Sequence, residues 1–373
     1  MTALRLRYTA SQMPAAQPPL CGTLVPQLRR LARRSSRDPN DLLARPVMKP
    51  PALSTPPTPL LAEAPGRPAA ATGGRLPRLG VLRLLADLAA MTKPGITAMV
   101  VLTAGLGFLL AGRQGGSWQV AHPLRLLLAT LLGTGLVAGG ASALNQVLER
   151  EADGKMRRTA GRPLPAGRLA PDLALLYGVA LAVGGMVGLA LLVNTLTALL
   201  GAAALAGYVF VYTPLKKVSS LATVVGALPG AIPPMMGWTA VRDDFGLAAW
   251  VLAGILFFWQ MPHFLAIAWL CRQDYAAGGF PMLPVIDPEG GWTARQTVLY
   301  GAALVPVSLL PSLLRLTGSL YFAGALVLGI AYLGFCLGFA HRRSTPAARR
   351  LMFASLLYLP AVLLVMLLDR AAA

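Results

Sequence analysis

Residues 247–270 read LAAWVLAGILFFWQMPHFLAIAWL, a stretch of 24 residues that contains no Asp, Glu, Lys or Arg. As a helix it rises about 36 Å at about 1.5 Å per residue, more than a hydrocarbon core of roughly 30 Å requires. A helix apolar all round has no face to offer water. The run does not alternate apolar with polar residues, which excludes the strands of an outer-membrane barrel. Eight further stretches share this character, at about 95–112, 124–144, 171–191, 195–213, 220–238, 297–314, 319–340 and 350–368. Over the 373 residues only 13% are charged, against about 25% in a soluble domain whose surface must stay hydrated. The fold class expected is an all-α polytopic membrane protein with nine transmembrane helices.

The sequence ahead of the spans differs. Residues 1–75 carry paired prolines (Pro18-Pro19, Pro50-Pro51, Pro56-Pro57), paired arginines (Arg29-Arg30, Arg33-Arg34) and few acids. Proline at this density interrupts any helix, and little apolar surface is left to bury, so a disordered extension is expected. A mitochondrial transit peptide is the alternative for an Arg-rich, acid-poor leader. Residues 76–94 begin LPRLGVLRLLADLAA, apolar but interrupted by Arg78, Arg83 and Asp87, the pattern of a helix lying in the membrane interface. The spans then fill 95–373.

Lys and Arg number 33 against 14 Asp and Glu, a formal charge of +19. In a soluble chain that excess points to nucleic acid. Here the cations sit between spans: fourteen in the loops after spans two, four, six and eight, five on the opposite side. Basic loops stay on the cytoplasmic or matrix side, so the expected topology is N-in and C-out, with no nucleic-acid partner. Cys21, Cys271 and Cys336 form no C-x-x-C pair, the signature of a zinc knuckle.

Three constellations carry chemistry. After span two comes NQVLEREADGKMRRTAGRPLPAGRL, in which Asn145, Glu149 and Asp153 recur every four residues. On a helix each step of four turns about 40° and climbs about 6 Å, so their oxygens form one stripe. Such a stripe suits Mg²⁺, which completes its shell with waters and substrate phosphates. Lys155, Arg157, Arg158 and Arg162 follow at once, and guanidinium groups bind phosphate oxygens bidentately. Metal beside clustered cations fits a diphosphate site. Glu151 and Arg150 read instead as solvated charges, with Glu151 and Lys155 spaced for a local pair.

After span four stands YTPLKKVSS, where Tyr212, Lys216 and Lys217 are also the residues that anchor a helix at the interface. The next span carries GALPGAIPPMMGW, whose prolines and glycines break a helix where backbone lines a cavity or where neighbours cover it. The third constellation is FFWQMPHFLAIAWLCRQDYAAGGFPMLPV. His263 is the only histidine within an expected span; it is either a hydrogen-bonded bundle histidine or a functional one. Asp274 and Tyr275 follow at the same membrane face as the stripe. A second acid facing the first three across one cavity would let two metal ions clamp a diphosphate.

In order along the chain, Asn145-x3-Glu149-x3-Asp153 with Arg158 to Leu164, Tyr212-Thr213-x2-Lys216-Lys217, the GAxPGAxPPxxGW run and WQMPHF leading to DYxxGGFPMLPV resemble the UbiA family of intramembrane prenyltransferases. The last two blocks are similar to its branch that farnesylates haem b. The resemblance covers roughly 80–370. It implies nine helices around a central cavity and transfer of a farnesyl group from farnesyl diphosphate to a vinyl group of haem b, with addition of water.

It also implies roles. Asn145, Glu149 and Asp153 would hold Mg²⁺, with Asp274 in a second acidic motif. Arg158, Arg162 and Lys216 would neutralise the leaving pyrophosphate, and Lys217, Tyr212 and Tyr275 would line the substrate site. His263 would orient or ligate the haem iron. A haem A synthase or oxidase assembly proteins are the implied recipients of product, and the bacterial inner membrane is the implied location, with the mitochondrial inner membrane as alternative. Glu149 and Lys217 depart from the Asp and Arg common at those places. Two rivals stand beside this reading: a family member with another aromatic acceptor such as 4-hydroxybenzoate, and an ion-coupled transporter. Transporters place coupling acids near the bilayer midplane, whereas the spans here lack them at that depth.

Overall fold

The computed structural model describes residues 78–369, apart from 115, 116 and 119. The extension expected at 1–75 lies outside the described residues. Two compact units divide the chain: the described part of one runs from Arg83 onward and holds the bundle, while of the other only 78–82 is described. Helix α1 (Arg78–Met91) answers the stretch expected at 76–94 but stops earlier. Pro94 cannot continue a helix and constrains the residue before it, and Lys93 turns through a left-handed backbone, φ 49°.

The remaining helices are α2 (Pro94–Ala111), α3 (Pro123–Lys155), α4 (Pro171–Leu192), α5 (Thr195–Ala206), α6 (Ala222–Ala231), α7 (Pro233–Arg242), α8 (Leu247–Leu270), α9 (Arg272–Ala277), α10 (Leu283–Ile286), α11 (Gly291–Leu313), α12 (Ser319–Arg342) and α13 (Thr345–Leu368). Counting α5 with the turns that extend it to Leu215, and α6 with α7, nine helical segments among the described residues are long and apolar enough to cross a membrane. They match the nine expected spans. Among the described residues the all-α expectation is interrupted only by a two-residue ladder, Arg113 with Trp118 and Gln114 with Ser117, between α2 and α3.

Helices neighbouring in sequence pack side by side, and α13 returns to touch α2, which closes a ring. The fifth span departs from a regular helix. Pro233 and Pro234 supply no N–H, so the chain bends at Ile232, whose own N–H satisfies the Pro229 carbonyl at 3.3 Å. Beyond the bend, every residue from Pro233 to Ala240 is buried. A Cβ on Gly107 would overlap the Pro234 carbonyl, and one on Gly237 would overlap that of Ala104. The glycine- and proline-rich run is therefore a packing device at α7, where two backbones approach as small residues in membrane helices allow.

Two irregularities shape the end of the bundle that carries the charges. Helix α3 does not stop at residue 144 but continues to Lys155, 33 residues or about 50 Å. Its last three turns thus hold Asn145, Glu149 and Asp153 in one rigid stripe. The fourth span ends in a π-helical segment, Gly207–Tyr212, followed by a last turn, Thr213–Leu215. Such π segments occur often at functional sites, because they re-aim side chains by one residue.

Candidate active site

Asn145, Glu149 and Asp153 are all buried, at 2%, 3% and 1% exposure, so none is a solvated surface charge. Each meets its own cation. Lys93 Nζ donates to Asn145 Oδ1 at 2.9 Å. Lys216 Nζ donates to both oxygens of Glu149, at 2.8 and 2.9 Å. Arg162 Nη1 donates to Asp153 Oδ2 at 2.6 Å. A buried carboxylate is stable only when paired in this way.

The π segment completes the setting of Asn145. Thr213 gives its hydroxyl hydrogen to the Tyr208 carbonyl (2.8 Å), leaving its oxygen to accept from Asn145 Nδ2 at 3.1 Å. The amide oxygen therefore faces Lys93 and stays available as a ligand. Neighbouring Gln146 donates to the Met91 carbonyl at 2.7 Å, tying α3 to the end of α1.

Whether these groups suit a divalent ion is decided by what is left unpaired. Asp153 Oδ1 is buried with no hydrogen-bond partner. A bare carboxylate oxygen without a donor is costly unless something cationic joins it. No three Asp, Glu, His or Cys side chains among the described residues converge into a preformed cage. The donor set is instead one amide and two carboxylates on one helix face, and Mg²⁺ commonly takes one or two carboxylates and draws the rest from water and substrate phosphate. The residues present fit the ion.

The second acidic motif arrives from α9. Asp274 is half-buried, and its Oδ1 accepts the backbone N–H of Arg157 at 3.1 Å. The motif's loop packs where α3 ends: Phe280 and Met282 cluster with Ala152 and Met156, and Tyr275 rests against them. Gly279 turns this loop with φ 74°, a conformation open to glycine at little cost. Arg158 lies over the Tyr275 ring, 4.3 Å from its centroid. Lys216 Nζ lies 5.2 Å from the Tyr212 ring and 4.9 Å from Phe280. Tyr212 packs against Gly226, where a Cβ would overlap the ring.

Thus Asn145, Glu149, Asp153, Arg158, Arg162, Lys216, Tyr212 and Tyr275 come together, with Asp274 at the border. Lys217 does not: it is exposed and makes no ion pair with a described residue, because the helical turn that buries Lys216 points its neighbour away. Glu151 and Arg150 are exposed as expected; Lys155, read with the diphosphate cations, is exposed too and forms no ion pair with Glu151.

Lys93 belongs to the site although the sequence marks it only as a cation at a span boundary. Desolvation by burial, then Arg162 and Lys216, push its ammonium from 10.5 down to about 7, against the pull of Glu149 and Asp153. Thr213 was likewise hidden, since its role depends on the π segment. A small cavity of about 60 Å³ joins this cluster to α8, lined by Tyr212, Tyr275, Phe264, Ile267, Ala268, Thr223 and Met282. A larger shallow groove of about 610 Å³, around His122 and Arg125, opens at the other end of α3. By helix rise it is about 33 Å from Asn145 and takes no part in this chemistry.

Next to the cavity-lining Phe264 on α8, His263 is partly exposed. Its Nδ1 lies 2.6 Å from Ser355 Oγ, and its ring stacks on Trp259 at 5.4 Å and 16°. It is hydrogen-bonded in the bundle, as one reading of the sequence held.

The UbiA prenyltransferase family profile matches residues 100–357, more than half of the chain. The chain belongs to the UbiA prenyltransferase family. Among curated relatives, a protoheme IX farnesyltransferase of Solibacter usitatus is 48% identical over 76% of this chain and 98% of its own length. Those of Koribacter versatilis and Myxococcus xanthus are 44% and 43% identical, over 79% and 76% of this chain and 96% and 94% of theirs.

Solved UbiA-type structures share the fold. Digeranylgeranylglyceryl phosphate synthase superposes with a TM-score of 0.64 at 14% identity, covering 76% of this chain and 98% of that one. A UbiA homologue from Aeropyrum pernix gives 0.56 at 17%, over 72% and 97%. One from Archaeoglobus fulgidus, bound to GPP and Mg²⁺, gives 0.52 at 15%, over 75% and 99%. The matched residues include the whole stripe at the end of α3, Asn145, Glu149 and Asp153.

Proposed function

We propose that this chain transfers the farnesyl group of farnesyl diphosphate to a vinyl group of haem b, the protohaem IX farnesyltransferase reaction, within the membrane. The observation that carries the chemistry is the buried row of Asn145, Glu149 and Asp153, each matched by a cation. Relatives at 43–48% identity over nearly their whole length carry the acceptor.

Asn145, Glu149 and Asp153 would hold Mg²⁺, with Asp274 as the further acid; the ion, when bound, neutralises diphosphate oxygens. Lys93, Arg158, Arg162 and Lys216 stand ready to exchange their present partners for those oxygens. As the C1–O bond of the allylic diphosphate breaks, negative charge grows on the pyrophosphate, and cations already in place stabilise that charge more than the ground state. The terminal vinyl carbon supplies the electron pair for the new carbon–carbon bond. Water adds to the adjacent vinyl carbon and loses a proton, leaving a hydroxyl group. Burial keeps other water from the allylic cation before attack.

The 60 Å³ slot is far below the 300–1,000 Å³ of ordinary ligand sites, so it must widen to admit substrates. His263 is the residue proposed to meet the haem iron, since its ring is partly exposed and held close to the slot. The loop charges support a cytoplasmic face for the site, in a bacterial inner membrane, and the exposed leucines of α1 suit a helix in the membrane interface.

Detergent-purified protein given haem b, farnesyl diphosphate and Mg²⁺, with and without EDTA, tests the proposal. A Mg²⁺-dependent product heavier than haem b by a farnesyl group plus water is expected. Pyrophosphate release with unmodified haem returns the acceptor to 4-hydroxybenzoate and its kind; no reaction by folded protein overturns the prenyl transfer itself.

A further inference from the structure

Ser355, on α13, makes contacts that decide the chemistry of His263. Its Oγ lies 2.6 Å from the Met352 carbonyl and 2.6 Å from His263 Nδ1. A hydroxyl has one hydrogen, and a carbonyl oxygen can only accept. If the hydrogen pointed to Nδ1, two oxygen lone pairs would face each other at 2.6 Å. With the hydrogen on the Met352 carbonyl, Ser355 Oγ accepts and Nδ1 must carry a proton. Only this arrangement satisfies both contacts. The imidazole is therefore the Nδ1–H tautomer, and its lone pair lies on Nε2, which has no hydrogen-bond partner among the described residues.

The same residue also fixes the ring's neighbour. The Ser355 carbonyl accepts from Trp259 Nε1 at 2.9 Å, and the Trp259 indole is the surface on which His263 stacks. Tyr332, from α12, donates to the Trp259 carbonyl at 3.3 Å. Trp259 and His263 are four residues apart on α8, so one serine holds the side chains of two successive turns. Ser355 itself is fully buried.

We infer that Ser355 is a positioning residue for the acceptor: it locks His263 in the tautomer whose Nε2 binds the haem iron and fixes the plane of the ring. The inference rests on the proposal that His263 meets the iron. A partner on the far nitrogen of a metal-binding histidine sets its tautomer and basicity, and losing such a partner costs about 10–100-fold in affinity.

The test titrates ferric haem b into the full-length protein in detergent and follows the Soret band and electron paramagnetic resonance signal. Wild type, His263→Ala, Ser355→Ala and Ser355→Thr are compared, with binding of Mg²⁺–pyrophosphate as the measure of folding. His263→Ala is expected to lose the imidazole-bound signature. Ser355→Ala is expected to bind haem b about 10–100-fold more weakly with that signature diminished, while Ser355→Thr, which keeps the hydroxyl, restores both. Haem binding by Ser355→Ala identical to wild type, with the signature lost in His263→Ala, overturns the positioning role and leaves His263 standing. A wild-type spectrum in His263→Ala overturns the iron contact and the positioning role together. Should Ser355→Ala fail to bind Mg²⁺–pyrophosphate, Ser355→Cys, similar in size but a poor hydrogen-bond acceptor, replaces it and is read the same way.

Discussion

Glu149 and Lys216 form the pair on which the resting site depends most, and separating them should show it. Both are buried, and the ammonium meets the two carboxylate oxygens at 2.8 and 2.9 Å. At an effective dielectric of about 20, charges 2.8 Å apart attract by about 6 kcal/mol. Desolvating the two ions takes back several kcal/mol each, so the intact pair contributes little net stability. Removing one partner is different, because the other is left charged and alone; that costs about 3–5 kcal/mol. In EDTA and without substrate, Lys216→Met and Glu149→Gln should each lower the unfolding free energy in mixed micelles by about that amount. The double variant should lose about 2–3 kcal/mol less than the sum, since no lone charge remains. All three should fail to release pyrophosphate, which separates the stability role from the chemical one. Single variants within about 1 kcal/mol of wild type, or strictly additive losses, would refute the pairing.

Asp153→Asn keeps the shape but removes the unpartnered oxygen's charge, so turnover should fall by at least about 10²–10³-fold with membrane insertion intact; wild-type rates reject the metal assignment. EDTA should stop turnover and added Mg²⁺ restore it, measured as pyrophosphate released; full activity in EDTA rejects a metal-dependent site. Lys93→Met removes one charged hydrogen bond, about 1.5–3 kcal/mol, so kcat/KM for farnesyl diphosphate should fall about 10–150-fold, and Lys93→Arg should fall less. Gly237→Ala should sharply reduce the yield of folded protein by forcing α7 from α2, whereas Gly188→Ala, with nothing within 4 Å, should be neutral. Equal yields would contradict the close helix contact.

Much of the site was legible because a helix turns regular spacing into geometry. Asn145, Glu149 and Asp153, four residues apart, needed only a continuous helix to become a stripe, and α3 provides it. Arg162 and Lys216 were legible as cations near acids, although their individual partners were not. Lys217 looked equivalent to Lys216 in sequence, yet one is buried on Glu149 and the other is exposed, because successive side chains of the turn that follows Leu215 point in different directions. Lys93 was hidden for the opposite reason: a cation before a proline at a span boundary is ordinary, and only the packing of α2 on α3 brings it to Asn145. The GALPGAIPPMMGW run was legible as a broken helix, but whether it lined a cavity or packed on a neighbour depended on the face that α2 presents.

By itself the sequence determined the class of solvent and the number of crossings, because apolar length against bilayer thickness is a local property of each segment. It also pointed to the chemistry proposed for the site, since an amide and two carboxylates spaced every fourth residue and followed by arginines suit a metal ion beside a diphosphate. Tertiary structure alone decided which cation serves which ligand, how Asp274 reaches the end of α3, and which nitrogen of His263 bears the proton. Each of these is a contact between residues 9 to 117 positions apart in the chain, set by how helices lean on one another and by hydrogen bonds that must all be satisfied at once.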